Sequence, residues 1–192
     1  LADRWPVLIL LPVAAFLISF QLGRYPITAP ELLHTLFYHF ADPSQIADPN
    51  METTLFNIRL PRVLAVLLVG GGLSMAGAAY QGMFKNPMVS PDILGASAGA
   101  AFGACLAMLL GLASPVIQLC RFCGGVLAVF VAATATRRFS MDPILGLVLG
   151  GVMVSSLFQS GTSAIKLLAD AEDKLPQITF WLMGSFNIMN TR

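Results

Sequence analysis

The chain has 192 residues, of which 56% are hydrophobic and 11% are charged, and its mean hydropathy is +0.77. Soluble domains carry about 25% charged residues, so this composition excludes a soluble fold of this size. The formal net charge is +1 and no basic stripe is present, which excludes a nucleic-acid-binding surface. The composition fits a chain whose solvent is the lipid bilayer.

Five intervals contain no charged residue: 5–23, 63–84, 93–120, 122–136 and 143–165. They predict membrane-spanning helices at about 5–23, 63–84, 93–112, 115–136 and 143–166. A helix needs about 20 apolar residues to cross the hydrocarbon core. The fourth interval reaches that length only if its helix begins at Ser114 and runs through Arg121, whose side chain can snorkel. The first is expected to be retained, because no small-residue cleavage site of a signal peptide precedes Arg24. The sequence therefore predicts an all-α, polytopic membrane helix bundle.

Two short amphipathic helices are expected at the membrane interface, one after the first span and one in the closing segment "LADAEDKLPQITFWLMGSFNIMNTR". In "YPITAPELLHTLFYHF", Thr28 and Glu31 have the spacing of a capping box, and Pro30 suits a first helical turn. His34 and His39 are five residues apart and point to different faces. Interfacial packing is the expected role of these histidines, with a metal pair as the alternative.

Glycines recur at helical spacing in three of the spans. "GGGLSMAGAA" lies in the second span, and pairs four residues apart occur in the third and fifth. Small residues at this spacing let helix backbones approach closely inside a membrane, where lipid supplies no hydrophobic drive for association. The candidate packing residues are Gly95, Gly99, Gly103, Gly146 and Gly150.

The passage from Lys85 to Asp92, "KNPMVSPD", predicts a stiff polar turn between the second and third spans. Proline fixes the backbone angle φ. Asp92 lies where the positive end of the next helix favours an acidic side chain.

Catalytic chemistry finds little support in the sequence. Cys105, Cys120 and Cys123 lack a second cysteine pair or a nearby histidine, so neither a metal site nor a redox role is expected. The chain contains no P-loop, G-x-S-x-G or HExxH motif, and no acidic residue lies in the middle of a span. The sequence therefore favours a passive conduit. The alternative is a secondary carrier or a membrane-embedded enzyme whose functional residues lie outside this chain.

The charge distribution does not determine the topology. With a cytoplasmic N-terminus, the cytoplasmic side has Arg4, Lys85, Arg137 and Arg138. The outer side has Arg24, Arg59, Arg62, Arg121, Lys166, Lys174 and Arg192. This count runs against the positive-inside rule.

The motif "RLPR" at 59–62, followed a helix length later by "NPMVSPDILG", resembles the second and third helices of the FecCD-type permeases. "YPITAPELL" and "FWLMGSFN" are similar to the family as well. These permeases are membrane subunits of bacterial ABC importers for iron–siderophores, haem, cobalamin and related metal chelates, and some import molybdate-type oxyanions. The resemblance implies that residues 1–192 are the N-terminal half of one transmembrane domain, a vitamin B12-type (type II) importer permease of roughly ten helices.

The resemblance also implies a set of partners. The subunit would form a homodimer in the bacterial inner membrane with its N-terminus in the cytoplasm. Two cytoplasmic ATPase subunits would hold ATP and Mg²⁺, and a periplasmic binding protein would deliver the cargo. No cofactor is implied for the permease subunit itself.

By position, the resemblance places Arg59 and Arg62 at the periplasmic mouth, where they would pair with glutamates of the binding protein. The turn residues Asn86, Pro87 and Met88 would lie near a cytoplasmic gate. The start of the fifth span would line the same gate. The residues implied there are Asp142, Pro143, Ile144 and Leu147.

Overall fold

The computed structural model describes residues 5–21, 27–41, 48–138 and 143–185, and within these ranges the regular structure is entirely helical. The predicted all-α fold is confirmed. The α-helices are α1 (Trp5–Gln21), α2 (Ala29–Ala41), α3 (Pro49–Thr53), α4 (Leu60–Phe84), α5 (Ala96–Leu109), α6 (Ser114–Arg138), α7 (Pro143–Leu168) and α8 (Lys174–Met183), with a π-helical segment (Thr54–Arg59) joining α3 to α4.

Among the described residues, three helical stretches are long and apolar enough to cross a membrane: Asn50–Phe84, Ser114–Thr136 and Ile144–Leu168. Two shorter apolar helical stretches, Ile9–Phe20 and Ala96–Leu109, lie within the other two predicted spans. The chain is a multi-pass membrane protein, and the count of five spans stays a prediction. The predicted third span starts at residue 93, and helix α5 starts at Ala96 after a turn, so the bounds of this span also stay a prediction.

The helices form two compact units, one containing the described residues up to Gly72 and the other Leu73–Gly184. In the first unit, Phe20, Ile27 and Leu55 form a buried apolar cluster. Thr35 of α2 is also buried, and its hydroxyl donates to the Met51 sulfur at 3.2 Å. The hydroxyl is therefore buried with a hydrogen-bond partner, as buried polar groups require.

Helix α2 begins with the predicted cap. The Thr28 backbone amide donates to Glu31 Oε2 at 2.8 Å, and the Thr28 hydroxyl donates to the same oxygen at 2.7 Å. The amide bond and then the hydroxyl bond hold the pKa of Glu31 below its usual value. The carboxylate thus fixes the first turn of the helix.

The two histidines of α2 have different neighbours. The ring of His34 lies 4.3 Å from that of Tyr38. His39 Nδ1 lies 2.6 Å from Glu52 Oε1, and its ring stacks on Phe56 with centroids 3.8 Å apart. Among the described residues, no group of three or more His, Cys, Asp and Glu side chains is placed to hold a metal ion.

Helices α5, α6 and α7 form the centre of the second unit and meet through glycines. A Cβ added at Gly99 would overlap the Gly124 carbonyl oxygen, and one at Gly103 would overlap the Cys120 carbonyl oxygen. A Cβ at Gly151 would overlap the Ile93 carbonyl oxygen. These are backbone contacts, so no side-chain rotation can make room for a larger residue.

The start of α7 packs against the end of α6 through Thr136. The Thr136 hydroxyl lies 2.8 Å from the Ala132 carbonyl and 3.0 Å from the Gly146 carbonyl. A Cβ at Gly146 would approach the Thr136 methyl group to 2.6 Å, and one at Gly150 would lie 3.0 Å from the Thr136 hydroxyl. Both glycines therefore face α6 at close range.

Helix α8 covers the end of α5. Ile178 is completely buried in a cluster with Cys105, Ile165 and Ala169. Lys174 Nζ donates to the Leu109 carbonyl at 2.6 Å, which satisfies one of the carbonyls that a helix C-terminus leaves without an intrahelical partner.

Candidate functional site

The turn from Lys85 to Gly95 presents a polar tip. Asn86 Oδ1 accepts a hydrogen bond from the Met88 amide at 2.9 Å, and Lys85 has a positive φ of 50°. Asn86, Pro87 and Met88 are all exposed, and Met88 is 88% exposed. The hydrogen bond from the Met88 amide to the Asn86 side chain therefore holds the tip outside the apolar core.

An apolar cluster supports the turn from beneath. Phe84, Val89 and Leu94 are buried together, and Leu147 of α7 packs against them. The chain enters and leaves the exposed tip through buried side chains, so the tip is fixed at both ends. This contact joins the turn to the start of α7, two regions that the resemblance places at one gate.

The end of the turn is fixed by a cap on α5. Asp92 Oδ1 accepts from the Ser97 amide at 3.0 Å, so the acidic side chain lies at the positive end of the helix as expected. Gly95 is the N-cap, with φ +76°, and a Cβ there would lie 2.6 Å from Ser155 Oγ. Gly95 was predicted as the first packing glycine of a helix. Its position requires glycine for the left-handed backbone and for the close approach to α7 together.

The other implied gate residues are only partly placed. Pro143 is the first residue of α7, Ile144 is 45% exposed, and Leu147 points into the cluster beneath the turn. Asp142 lies outside the described residues.

Arg59 has a contact different from the one that the resemblance implies. Its side chain is only 8% exposed, and its guanidinium donates to the Phe20 carbonyl in the last turn of α1. A helix C-terminus leaves carbonyl oxygens without intrahelical donors, which explains the attraction. Arg62, one helical turn later, is half-buried. The two arginines therefore have different environments, although the motif places them three residues apart.

Sequence reasoning missed the glycines on the partner helices, α6 and α7, that form the other half of these close contacts. Gly124 forms the α6 side of the contact with Gly99, and Gly151 lies against the turn at Ile93. Both stand in Gly-Gly pairs, Gly124–Gly125 and Gly150–Gly151, and these pairs were the available signal.

The FecCD transport family matches residues 9–192 of the chain. The molybdate import permease MolB of Haemophilus influenzae is 37% identical over 192 residues, covering 98% of this chain and 56% of the relative. The ferric enterobactin permease FepD of Escherichia coli is 36% identical and covers 96% and 54%. The vitamin B12 permease BtuC of Escherichia coli is 36% identical and covers 78% and 46%. The chain spans about half the length of these relatives.

The fold agrees with the sequence match. A solved structure described as a metal-chelate type ABC transporter in an inward-facing conformation is 35% identical to the chain. The two superimpose with a TM-score of 0.74, covering 99% of this chain and 56% of that one. A match over nearly the whole chain, together with this shared fold, shows that the chain belongs to the FecCD transport family.

Proposed function

We propose that the chain is the N-terminal portion of a permease subunit of an ATP-driven importer, which forms part of the pathway for a metal chelate or a molybdate-type oxyanion. The cargo classes are those named for its relatives: molybdate, ferric enterobactin and vitamin B12. The complete subunit works as a homodimer in the inner membrane, with its N-terminus in the cytoplasm. Two ATPase subunits holding ATP and Mg²⁺ supply the energy, and a periplasmic binding protein delivers the cargo.

The observation that carries this proposal is the supported turn between α4 and α5. A tip of three exposed residues, Asn86 to Met88, stands on a buried cluster that includes Leu147 of α7. A gate must move as a unit when a neighbouring helix shifts, and side chains packed together transmit such a shift. The turn and the start of α7 together fit a cytoplasmic gate.

The Lys85–Asp92 turn is held by local hydrogen bonds, without a nucleophile–base pair. An importer separates energy supply from the pathway, because ATP hydrolysis occurs on the partner subunits. The energy would reach the gate as a conformational change.

Reconstitution of the full-length subunit tests the proposal. The subunit, its ATPase and its binding protein are placed in proteoliposomes, and uptake of molybdate, ferric enterobactin and vitamin B12 is measured with ATP inside. ATP-dependent uptake of at least one of these is expected. Uptake driven by an ion gradient without ATP would instead show a secondary carrier, and no uptake of any of them would contradict the proposal.

The gate assignment has its own measurement in the same vesicles. Leu147→Ala removes a side chain that packs under the turn, so coupling between the turn and α7 should weaken. We expect a raised ATPase rate without cargo and a lower ratio of cargo transported to ATP hydrolysed. Leu145→Ala, an exposed neighbour on α7, is the control and should leave the ratio unchanged. Equal effects of both variants would contradict the gate.

A further inference from the structure

The hydroxyl of Thr136, near the end of α6, lies between two carbonyl oxygens. It is 2.8 Å from the Ala132 carbonyl in its own helix and 3.0 Å from the Gly146 carbonyl at the start of α7. A hydroxyl has one hydrogen, so it can donate fully to only one of these acceptors at a time. Thr136 therefore has two alternative partners, one within α6 and one across the contact with α7.

Two glycines of α7 allow this approach. Gly146 is buried, and a Cβ there would lie 2.6 Å from the Thr136 methyl group. A Cβ at Gly150 would lie 3.0 Å from the Thr136 hydroxyl and 3.3 Å from the Ala132 carbonyl. A β-branched side chain in a helix has few rotamers with which to make room. The hydroxyl thus reaches α7 because glycine stands at both positions.

The Gly146 carbonyl can accept this bond and still take part in its own helix. A carbonyl oxygen has two lone pairs. The α-helical pattern directs one of them to the Gly150 amide, and the other remains for the Thr136 hydroxyl. The first turn of a helix has amides without intrahelical partners, so helix ends fray more readily than interiors. A bond from α6 therefore holds α7 where its own hydrogen bonds hold it least.

The same part of α7 supports the Lys85–Gly95 turn. Leu147, next to Gly146, packs against the buried apolar cluster beneath the turn, and so does Val129 of α6. The bond from Thr136 thus fixes the backbone beside the side chain that reaches the turn. Moving the start of α7 away from α6 requires breaking this bond.

We propose that Thr136 is a positioning residue of the gate. The bond from its hydroxyl to the Gly146 carbonyl, the Thr136 latch, holds the start of α7 to α6, and the hydroxyl passes to the Ala132 carbonyl when α7 moves away. A buried hydroxyl left without an acceptor would oppose that movement. The second acceptor removes this penalty, so the latch can open and close. This role rests on the proposed function, because the start of α7 is taken as part of the gate.

Hydrogen exchange of the full-length subunit in nanodiscs tests the latch without transport. Thr136→Val keeps the shape of the side chain and removes the donor, whereas Thr136→Ser keeps the donor and removes the methyl group. An interhelical hydrogen bond in a membrane protein changes an equilibrium constant by about threefold. We expect the amides at residues 144–150 to exchange about threefold faster in Thr136→Val, and at close to the wild-type rate in Thr136→Ser.

Thr134→Val is the matched control. Thr134 lies two residues earlier in α6, and its hydroxyl donates to the Phe130 carbonyl of the same helix. This variant should leave exchange at residues 144–150 unchanged. Equal acceleration in Thr136→Val and Thr134→Val would show a general effect of losing a helical hydroxyl and would overturn the proposal. Unchanged exchange in Thr136→Val would overturn it too, as would equal acceleration in Thr136→Ser, which would assign the contact to the methyl group.

The role in the gate has a separate measurement, in proteoliposomes with the ATPase and the binding protein. Thr136→Val should raise the ATPase rate without cargo and lower the ratio of cargo transported to ATP hydrolysed, whereas Thr136→Ser and Thr134→Val should change neither. Faster exchange with an unchanged ratio would show that the latch is not part of the gate and would overturn the positioning role. Absence of ATP-dependent uptake by the wild type would contradict the importer itself, and the exchange rates would still decide whether the latch exists.

Discussion

Gly99 shows at the scale of one residue why α5 must carry glycine. Its Cα faces the Gly124 carbonyl of α6, and a Cβ would also come within 2.5 Å of the Ala128 methyl group. We expect Gly99→Ala to lower the free energy of unfolding by about 1–3 kcal/mol, the usual cost of overpacking. The measurement is thermal or denaturant unfolding in a fixed detergent.

Gly82→Ala is the control for this substitution. Gly82 lies in α4 with nothing within 4 Å of an added Cβ. Alanine has the higher helix propensity by about 1 kcal/mol, so this variant should be as stable as the wild type or more so. If Gly99→Ala behaved like Gly82→Ala, the close contact with α6 would not contribute to stability.

The glycines also show how far sequence reasoning reached. A spacing of four residues indicated a packing face, and Gly99 and Gly103 do contact a neighbouring helix at short range. The same spacing could not reveal that Gly95 has a positive φ and ends the turn. Glycine recurs every four residues from 95 to 103, and nothing in this spacing distinguishes Gly95 from the other two. Nor does a small-residue face identify its partner, since that depends on how distant helices cross.

At the scale of the element, the start of α2 should respond to pH. Glu31 accepts two hydrogen bonds from Thr28, and its pKa lies below the usual 4.5. A lowered folded-state pKa means that the carboxylate stabilises the helix start fully above 4.5. This stabilisation is lost as the pH falls through the lower folded-state value. Helical order at residues 28–32 should therefore decrease only in strongly acidic solution.

Thr28→Ala should move the pKa of Glu31 upward, because it removes the hydroxyl donor while the backbone amide remains. Carbon-13 NMR of the labelled Glu31 carboxyl group in micelles measures this pKa. Thr53→Ala is the control, since Thr53 is an exposed threonine that makes no side-chain capping bond. If the pKa of Glu31 were the same in Thr28→Ala as in the wild type, the Thr28 hydroxyl would have no electrostatic effect on Glu31.

The lengths of the helices were less predictable than their existence. Charge-free intervals indicated the apolar helices, because a bilayer penalises charge. The ends of α5 depend on two single contacts. Asp92 caps its start from five residues before Ser97, and Lys174, 65 residues along the chain, donates to the Leu109 carbonyl at its end. The second contact is long-range, so no local pattern contains it. The π-helical segment before α4 likewise has no recognisable sequence signal.

At the scale of the whole molecule, the two arginines of "RLPR" have different environments. Arg59 is buried and bound to the end of α1, whereas Arg62 is half-buried and one turn further along. The motif alone could not separate them, because burial depends on where α1 ends. If a binding protein docks here through opposite charges, Arg62 is the better placed of the two to meet it.

We therefore expect Arg62→Glu, in the full-length subunit with its ATPase in nanodiscs, to slow association of the binding protein by about tenfold at low salt. Electrostatic steering acts on the encounter rate and is screened as salt rises. Stopped-flow association at two salt concentrations measures both effects. Lys85→Glu makes the same charge change on the turn at the other end of α4 and should leave the rate unaltered.

Arg59→Gln should act on stability instead, because the Phe20 carbonyl would lose a charged donor. The expected loss is about 1.5–3 kcal/mol, with faster amide exchange at the end of α1, while the association rate of the folded protein stays close to that of the wild type. If Arg59→Gln slowed association without lowering stability, and Arg62→Glu lowered stability without slowing association, the roles of the two arginines would be reversed. If neither variant changed the association rate of the binding protein, Arg59 and Arg62 would serve only as anchors of the membrane helix.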